Sequence, residues 1–77
     1  MASSLWSAAT GGFDGPALRR AIVARGWTVP EFARAARMNS ASLYNALRGR
    51  RVRDSTAIRI FDTLEKRSPM GVALEVA

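Results

Sequence analysis

The chain has no cysteine and no histidine among its 77 residues. Disulfides are therefore excluded, as are the usual zinc sites, which need Cys or His ligands. Nucleophile–histidine pairs are excluded too. Carboxylates are scarce, with 6 Asp and Glu against 12 Lys and Arg. The six are scattered and show no metal-ligand spacing. These absences argue against an enzyme and against a bound metal or cofactor. Lysine is nearly missing as well, since Lys66 is the only one. The positive charge is thus carried by arginine, whose planar fork suits bidentate contacts to phosphate and guanine. No run approaches the roughly 18–20 apolar residues of a membrane span. The start, MASSLWSAATGG, has neither a basic beginning nor a continuous apolar core of signal-peptide length. The expectation is a cytoplasmic protein.

What is present is charge of one sign, and its placement is informative. A chain this short makes one domain, burying only about 60% of the surface its unfolded form exposes. The formal charge of +6 favours a polyanionic partner, nucleic acid first and an anionic membrane second. No acidic residue lies between Glu31 and Asp54, and Arg37, Arg48, Arg50, Arg51 and Arg53 all fall in that gap.

Residues 1–13 are small, polar and glycine-bearing. They read as a flexible arm, with Leu5, Trp6 and Phe13 as anchors at the edge of the core. Asp14-Gly15-Pro16 reads as a helix start, with a capping carboxylate and a proline where no N–H is needed. Leu18, Ala21, Ile22 and Arg25 keep helical spacing, predicting helix 1 over 15–25. Gly26 stops it, and Trp27 packs back on the last turn. Thr28-Val29-Pro30-Glu31 is a capping box that opens helix 2 over 29–36. Asn39 caps helix 3 over 40–48, and Gly49 stops it. Asp54 or Ser55 is expected to cap helix 4 over 55–66, which Ser68-Pro69 breaks. The core stripe is Leu18, Ile22, Phe32, Leu43, Leu47, Ile58, Phe61 and Leu64. Arg19, Arg20, Arg34, Arg59 and Arg67 are expected on the solvated surface. Residues 68–77 form a tail or linker whose Val72, Leu74 and Val76 alternate as in a short strand.

Helices 2 and 3 are separated by about three residues, the length of a tight helix–turn–helix connection. The stretch VPEFARAARMNSASLYNALRGRR carries a capped short helix, alanines, a turn with an apolar centre, a helix with a polar outer face, and a glycine followed by arginines. With these features residues 16–66 resemble the lambda-repressor-like, or Xre/Cro, helix–turn–helix family. In that family's motif Phe32, Ala33, Ala36, Met38, Leu43 and Ala46 fill internal positions, and Gly49 matches the glycine after the recognition helix. Arg37 departs from the pattern, standing where glycine is usual. A left-handed backbone there costs about 1 kcal/mol and leaves the side chain free to reach a phosphate.

The resemblance implies an all-α, compact four- to five-helix domain over residues 14–67 whose second motif helix enters the major groove of double-stranded DNA. Base readout then falls to Ser40, Ala41, Tyr44, Asn45 and Arg48. Ser40 pairs with several bases, Ala41 meets a thymine methyl, Asn45 suits adenine and Arg48 suits guanine. Tyr44 reaches a base edge or a phosphate, or packs over helix 2. Arg48 lies near enough to the helix end to serve as a backbone clamp instead. Thr28, Arg37, Asn39, Ser42, Arg50, Arg51 and Arg53 are the DNA-backbone set, although Ser42 has the alternative of bonding its own helix. The implied role is transcriptional regulation, most simply repression, in a bacterial cytoplasm or that of a phage host. A homodimer or a further C-terminal domain fits this reading. The rivals are an antitoxin-like protein-interaction module of the same fold and a basic membrane binder. Helix 3 lacks the large exposed apolar face that a membrane binder needs.

Overall fold

The computed structural model describes residues 5–68, in which a short β-hairpin precedes four helices. The alternating tail at Val72, Leu74 and Val76 lies outside the described residues.

The hairpin corrects the expected flexible arm. Strands β1 (Trp6–Ser7) and β2 (Gly12–Phe13) pair antiparallel, with Trp6 opposite Phe13 and Ser7 opposite Gly12. Gly11, at φ 69°, closes the turn by donating its N–H to the Ser7 carbonyl at 2.9 Å. The driving force is apolar: Phe13 is only 2% exposed. Trp6 meets its ring edge-on at 5.2 Å, and Phe61 of the last helix lies 5.2 Å away on a tilt. The segment contributes strands, so four helices stand among the described residues, with no fifth.

Helix α1 (Gly15–Ala24) starts where the Asp14 carboxylate accepts the Ala17 N–H at 3.2 Å. Helix α2 (Val29–Ala35) has the full capping box. Glu31 accepts the Thr28 N–H at 2.9 Å, and the Thr28 hydroxyl accepts the Glu31 N–H at 3.3 Å. Asn39 caps helix α3 (Ser40–Leu47), its side chain accepting the Ser42 N–H at 2.8 Å. Helix α4 (Asp54–Glu65) differs from expectation. Its N-cap is Arg53, with no side-chain cap bond, and Asp54 sits inside the first turn. There its charge favours the helix dipole without capping. Ser55 is likewise inside the helix.

The first three helices end alike. Past α1, Trp27 N–H bonds the Ile22 carbonyl and Gly26 N–H bonds that of Val23. Met38 and Arg37 repeat this on Ala33 and Arg34, and Arg50 and Gly49 repeat it on Asn45 and Ala46. Each is a Schellman motif, which needs a left-handed residue after the cap. Those residues are Gly26 at φ 86°, Arg37 at φ 57° and Gly49 at φ 77°. The departure at Arg37 therefore keeps the glycine conformation without the glycine.

Phe32, Leu18, Ile22, Leu43 and Ile60 are the largest fully buried side chains, and they draw on all four helices. Full burial of each contributes about 1.5–3 kcal/mol. Helix α3 packs against both α1 and α2. Ile58 corrects the expected stripe: it is 58% exposed, while its neighbours Ala57 and Ile60 face the core. Leu47 and Phe61 are partly buried at its edge.

Arg59 and Arg67 are exposed, as expected, and each also makes a contact. Arg59 donates to the Arg37 carbonyl, and the Arg67 guanidinium lies 4.4 Å over the Trp27 ring. Arg25, expected on the inner stripe of helix 1, instead caps that helix. Its Nε donates to the carbonyls of Leu64 and Arg67 at 3.0 Å each, tying the ends of α1 and α4 together. Among the described residues no helix is long and apolar enough to cross a membrane.

Candidate nucleic-acid interface

Helix α3 divides cleanly around its axis. Leu43 and Ala46 are buried, and Leu47 closes the same side. Ser40, Ala41, Tyr44, Asn45 and Arg48 are all exposed. At 100° per residue these five share one face, opposite the core. That face carries hydroxyl, methyl, phenol, amide and guanidinium groups, and no carboxylate. Ser42 is half-buried at its border. Its N–H is taken by Asn39, and its side chain faces a cleft beside the helix.

Arginines bracket this face. Arg37 stands exposed in the four-residue turn 36–39 before α3. Arg48 is the C-cap of α3, and Arg50, Arg51 and Arg53 follow, all exposed. The loop that bears them folds back along α3. The result is an open cleft of about 340 Å³ lined by Ser42, Asn45, Arg51, Val52, Arg53 and Thr56. The structure thus brings Asn45, expected at base edges, to the same concavity as two arginines expected at the backbone. Ser42, expected at the backbone, lines it too.

Thr28, Asn39 and Tyr44 do not line this cleft. Thr28 is exposed at the start of α2, and its hydroxyl and N–H are both occupied by the capping box. The Asn39 side-chain oxygen is committed to its cap, which leaves the amide nitrogen available to a phosphate. Tyr44 is 41% exposed and stands on the outer face.

Two contributors escaped the sequence reading. Thr56 lines the cleft from the first turn of α4, a position with no local signal. The hairpin holds the basic loop through an antiparallel bridge between Gly12 and Arg51. The Gly11-Gly12 pair between Trp6 and Phe13 was the available sign, since paired glycines mark turns. The loop's approach is close: a Cβ at Gly12 would lie 2.6 Å from the Arg50 carbonyl oxygen.

Among the described residues no group of three carboxylates converges as a metal site. Glu31 has a capping role that shows in its acidity. Its pKa is lowered chiefly by the bond from Thr28 N–H, then by the Thr28 hydroxyl, with lesser help from Arg34 and Arg67. That marks a structural cap. Comparison with protein-family models, with curated proteins and with solved structures found no match to this chain.

Proposed function

We propose that the chain is a sequence-specific DNA-binding domain of the lambda-repressor-like helix–turn–helix type, acting as a transcriptional regulator. In this reading α2, the turn at 36–39 and α3 are the motif, and α3 enters the major groove. The observation that carries it is the outer face of α3. It is polar, free of acid and flanked at both ends by exposed arginines. A solvated helix has no need of that pattern, whereas a groove lined by phosphates and base edges does.

Ser40, Ala41, Tyr44, Asn45 and Arg48 read bases, while Arg37, Asn39, Arg50, Arg51 and Arg53 engage the backbone. Phosphate contacts set register and affinity, and base contacts set sequence. Repression by occupying a promoter, in bacterial or phage-host cytoplasm, is the simplest consequence. The test is selection of duplexes from a random pool on the purified chain. A consensus bound more tightly than its scrambled version supports the reading, and a pool without enrichment overturns it. A palindrome argues for a homodimer and an asymmetric site for a monomer.

One observation favours a second reading, a protein-interaction module of the same fold. Trp6, Ala57, Ile58 and Phe61 line an open groove of about 420 Å³ with Asp54 at its edge. Ile58→Asp separates the two, because it disables an apolar partner surface and leaves the α3 face untouched.

A further inference from the structure

The basic loop after α3 poses a physical problem. Arg50, Arg51 and Arg53 repel one another, and a free loop would lose conformational entropy on binding a phosphate backbone. The structure holds this loop from outside the motif. Val52 N–H donates to the Gly11 carbonyl at 3.1 Å, and Gly12 bridges Arg51. The Arg51 side chain lies across Gly11, its Cγ and Nε each 3.3 Å from where a Cβ would stand. The hairpin is fixed in turn at its other end. Phe13 is buried between Trp6 and Phe61, and Asp14 N–H bonds the Leu5 carbonyl at 2.9 Å.

We propose that the hairpin over residues 6–13 is a positioning element for DNA-backbone binding, holding Arg50, Arg51 and Arg53 at a set offset from α3. The inference rests on the DNA-binding reading. It assigns the hairpin no contact with DNA. Gly11 and Gly12 act through the loop: Gly12 admits the Arg50 carbonyl, and Gly11 admits the Arg51 stem. Without the hairpin the arginines keep their charge and lose their register. Binding then weakens alike on every duplex, because a phosphate is the same everywhere.

The test uses the full chain with Gly12→Val. The added side chain meets the Arg50 carbonyl, and Gly12 has no left-handed φ that would itself exclude valine. Affinity is measured for the selected duplex and its scrambled version over a range of salt, with circular dichroism as the check of fold. The expected result is a folded protein that binds both duplexes about ten-fold more weakly with its preference ratio intact. Its slope of log K against log[salt] becomes shallower by about 1–2, the loss of one or two phosphate contacts. A folded variant with unchanged affinity and slope overturns the proposal.

If Gly12→Val does not fold, Trp6→Ala releases the hairpin from its far end, with hydrogen exchange of the Val52 amide as the readout. Faster exchange with the same uniform weakening supports the proposal. Faster exchange with unchanged binding overturns it, and so does an exchange rate that does not change. A wild-type chain that binds neither duplex ends the underlying reading and this inference with it. A wild type that binds while the variants match it ends this inference alone.

Discussion

The guanidinium of Arg59, in the middle of α4, donates to the main-chain carbonyl of Arg37 at 2.9 Å. Arg37 is the only non-glycine residue at positive φ among those described, and it forms the corner between α2 and α3. The last helix therefore braces the conformationally costly residue of the turn that aims α3. Removing this donor in Arg59→Ala should lower stability by about 1 kcal/mol. At this size that lowers the melting temperature by about 4–8 °C. Arg37→Gly should instead raise stability by up to about 1 kcal/mol, since glycine adopts the left-handed corner without strain. The same change should weaken selected and scrambled duplexes equally, through the lost phosphate contact. A glycine variant that melts lower would place the stress of this turn somewhere other than Arg37.

The capping box gives a pH-dependent prediction. Thr28→Ala should cost about 1 kcal/mol and leave base preference unchanged, because Thr28 closes a helix end away from the α3 face. Glu31 has a folded-state pKa below its ordinary 4.5, held down first by the Thr28 N–H. The stabilisation it contributes is complete above the unfolded value and is lost as pH falls through the lower folded value. Melting the wild type and Glu31→Gln from neutral pH into that acid range measures this. The wild type should lose more stability than the glutamine variant, and parallel pH profiles would remove Glu31 from the cap.

On the proposed DNA-binding reading, readout and clamping separate by position. Asn45 and Arg48 stand on the outer face of α3, so Asn45→Ala and Arg48→Ala should each cost about 1–3 kcal/mol on the selected duplex and little on scrambled DNA. Arg50 and Arg51 lie beyond the Gly49 stop, and their alanine variants should weaken both duplexes alike. With roughly 4–6 phosphates neutralised, the wild-type salt slope should be about −4 to −5. Asn45 is the sharpest case, because it lines the cleft with Arg51 and Arg53. Equal losses on both duplexes for Asn45→Ala would make it a backbone ligand. Sequence preference lost in the Arg50 or Arg51 variant would move readout from the helix to the loop.

The start of α1 and the end of α3, distant in sequence, meet backbone to backbone. A Cβ on Gly15, the first residue of α1, would fall on the Leu47 carbonyl at the end of α3. Backbone cannot yield as a flexible side chain can, so Gly15→Ala should destabilise by about 1–3 kcal/mol. Helix propensity alone predicts the opposite sign for Gly to Ala. A more stable alanine variant, read by thermal melting, would mean that α1 and α3 have room to part.

The four helices and most of their ends were legible in the sequence because their signals are local, but the start of α4 was not, since no side chain caps it. Asp14, Thr28 with Glu31, and Asn39 each cap within three residues. Gly26 and Gly49 stop helices through the backbone they permit, and the family resemblance put Arg37 at the turn position where glycine is usual. The outer face of α3 was legible for the same reason, since a 3.6-residue period separates Leu43 and Ala46 from Ser40, Ala41, Tyr44, Asn45 and Arg48. Other features depended on contacts between segments far apart in the chain. The helical period by itself puts Ala57, Ile60, Phe61 and Leu64 on one stripe of α4, so Ile58 lies off it, and counting Ile58 in the core asked α4 for a second inward stripe that the packing does not provide. Nothing near Phe13 shows that it meets Phe61, or that Gly12 then lies against the Arg50 carbonyl. Arg25 and Arg59 read as surface or stripe until the helix ends and turns they bond come within 3 Å. Local sequence determines where a helix starts, stops and shows its apolar side, because those energies act within a turn or two. Which groups from distant segments meet depends on how the helices pack, and only the folded chain decides that.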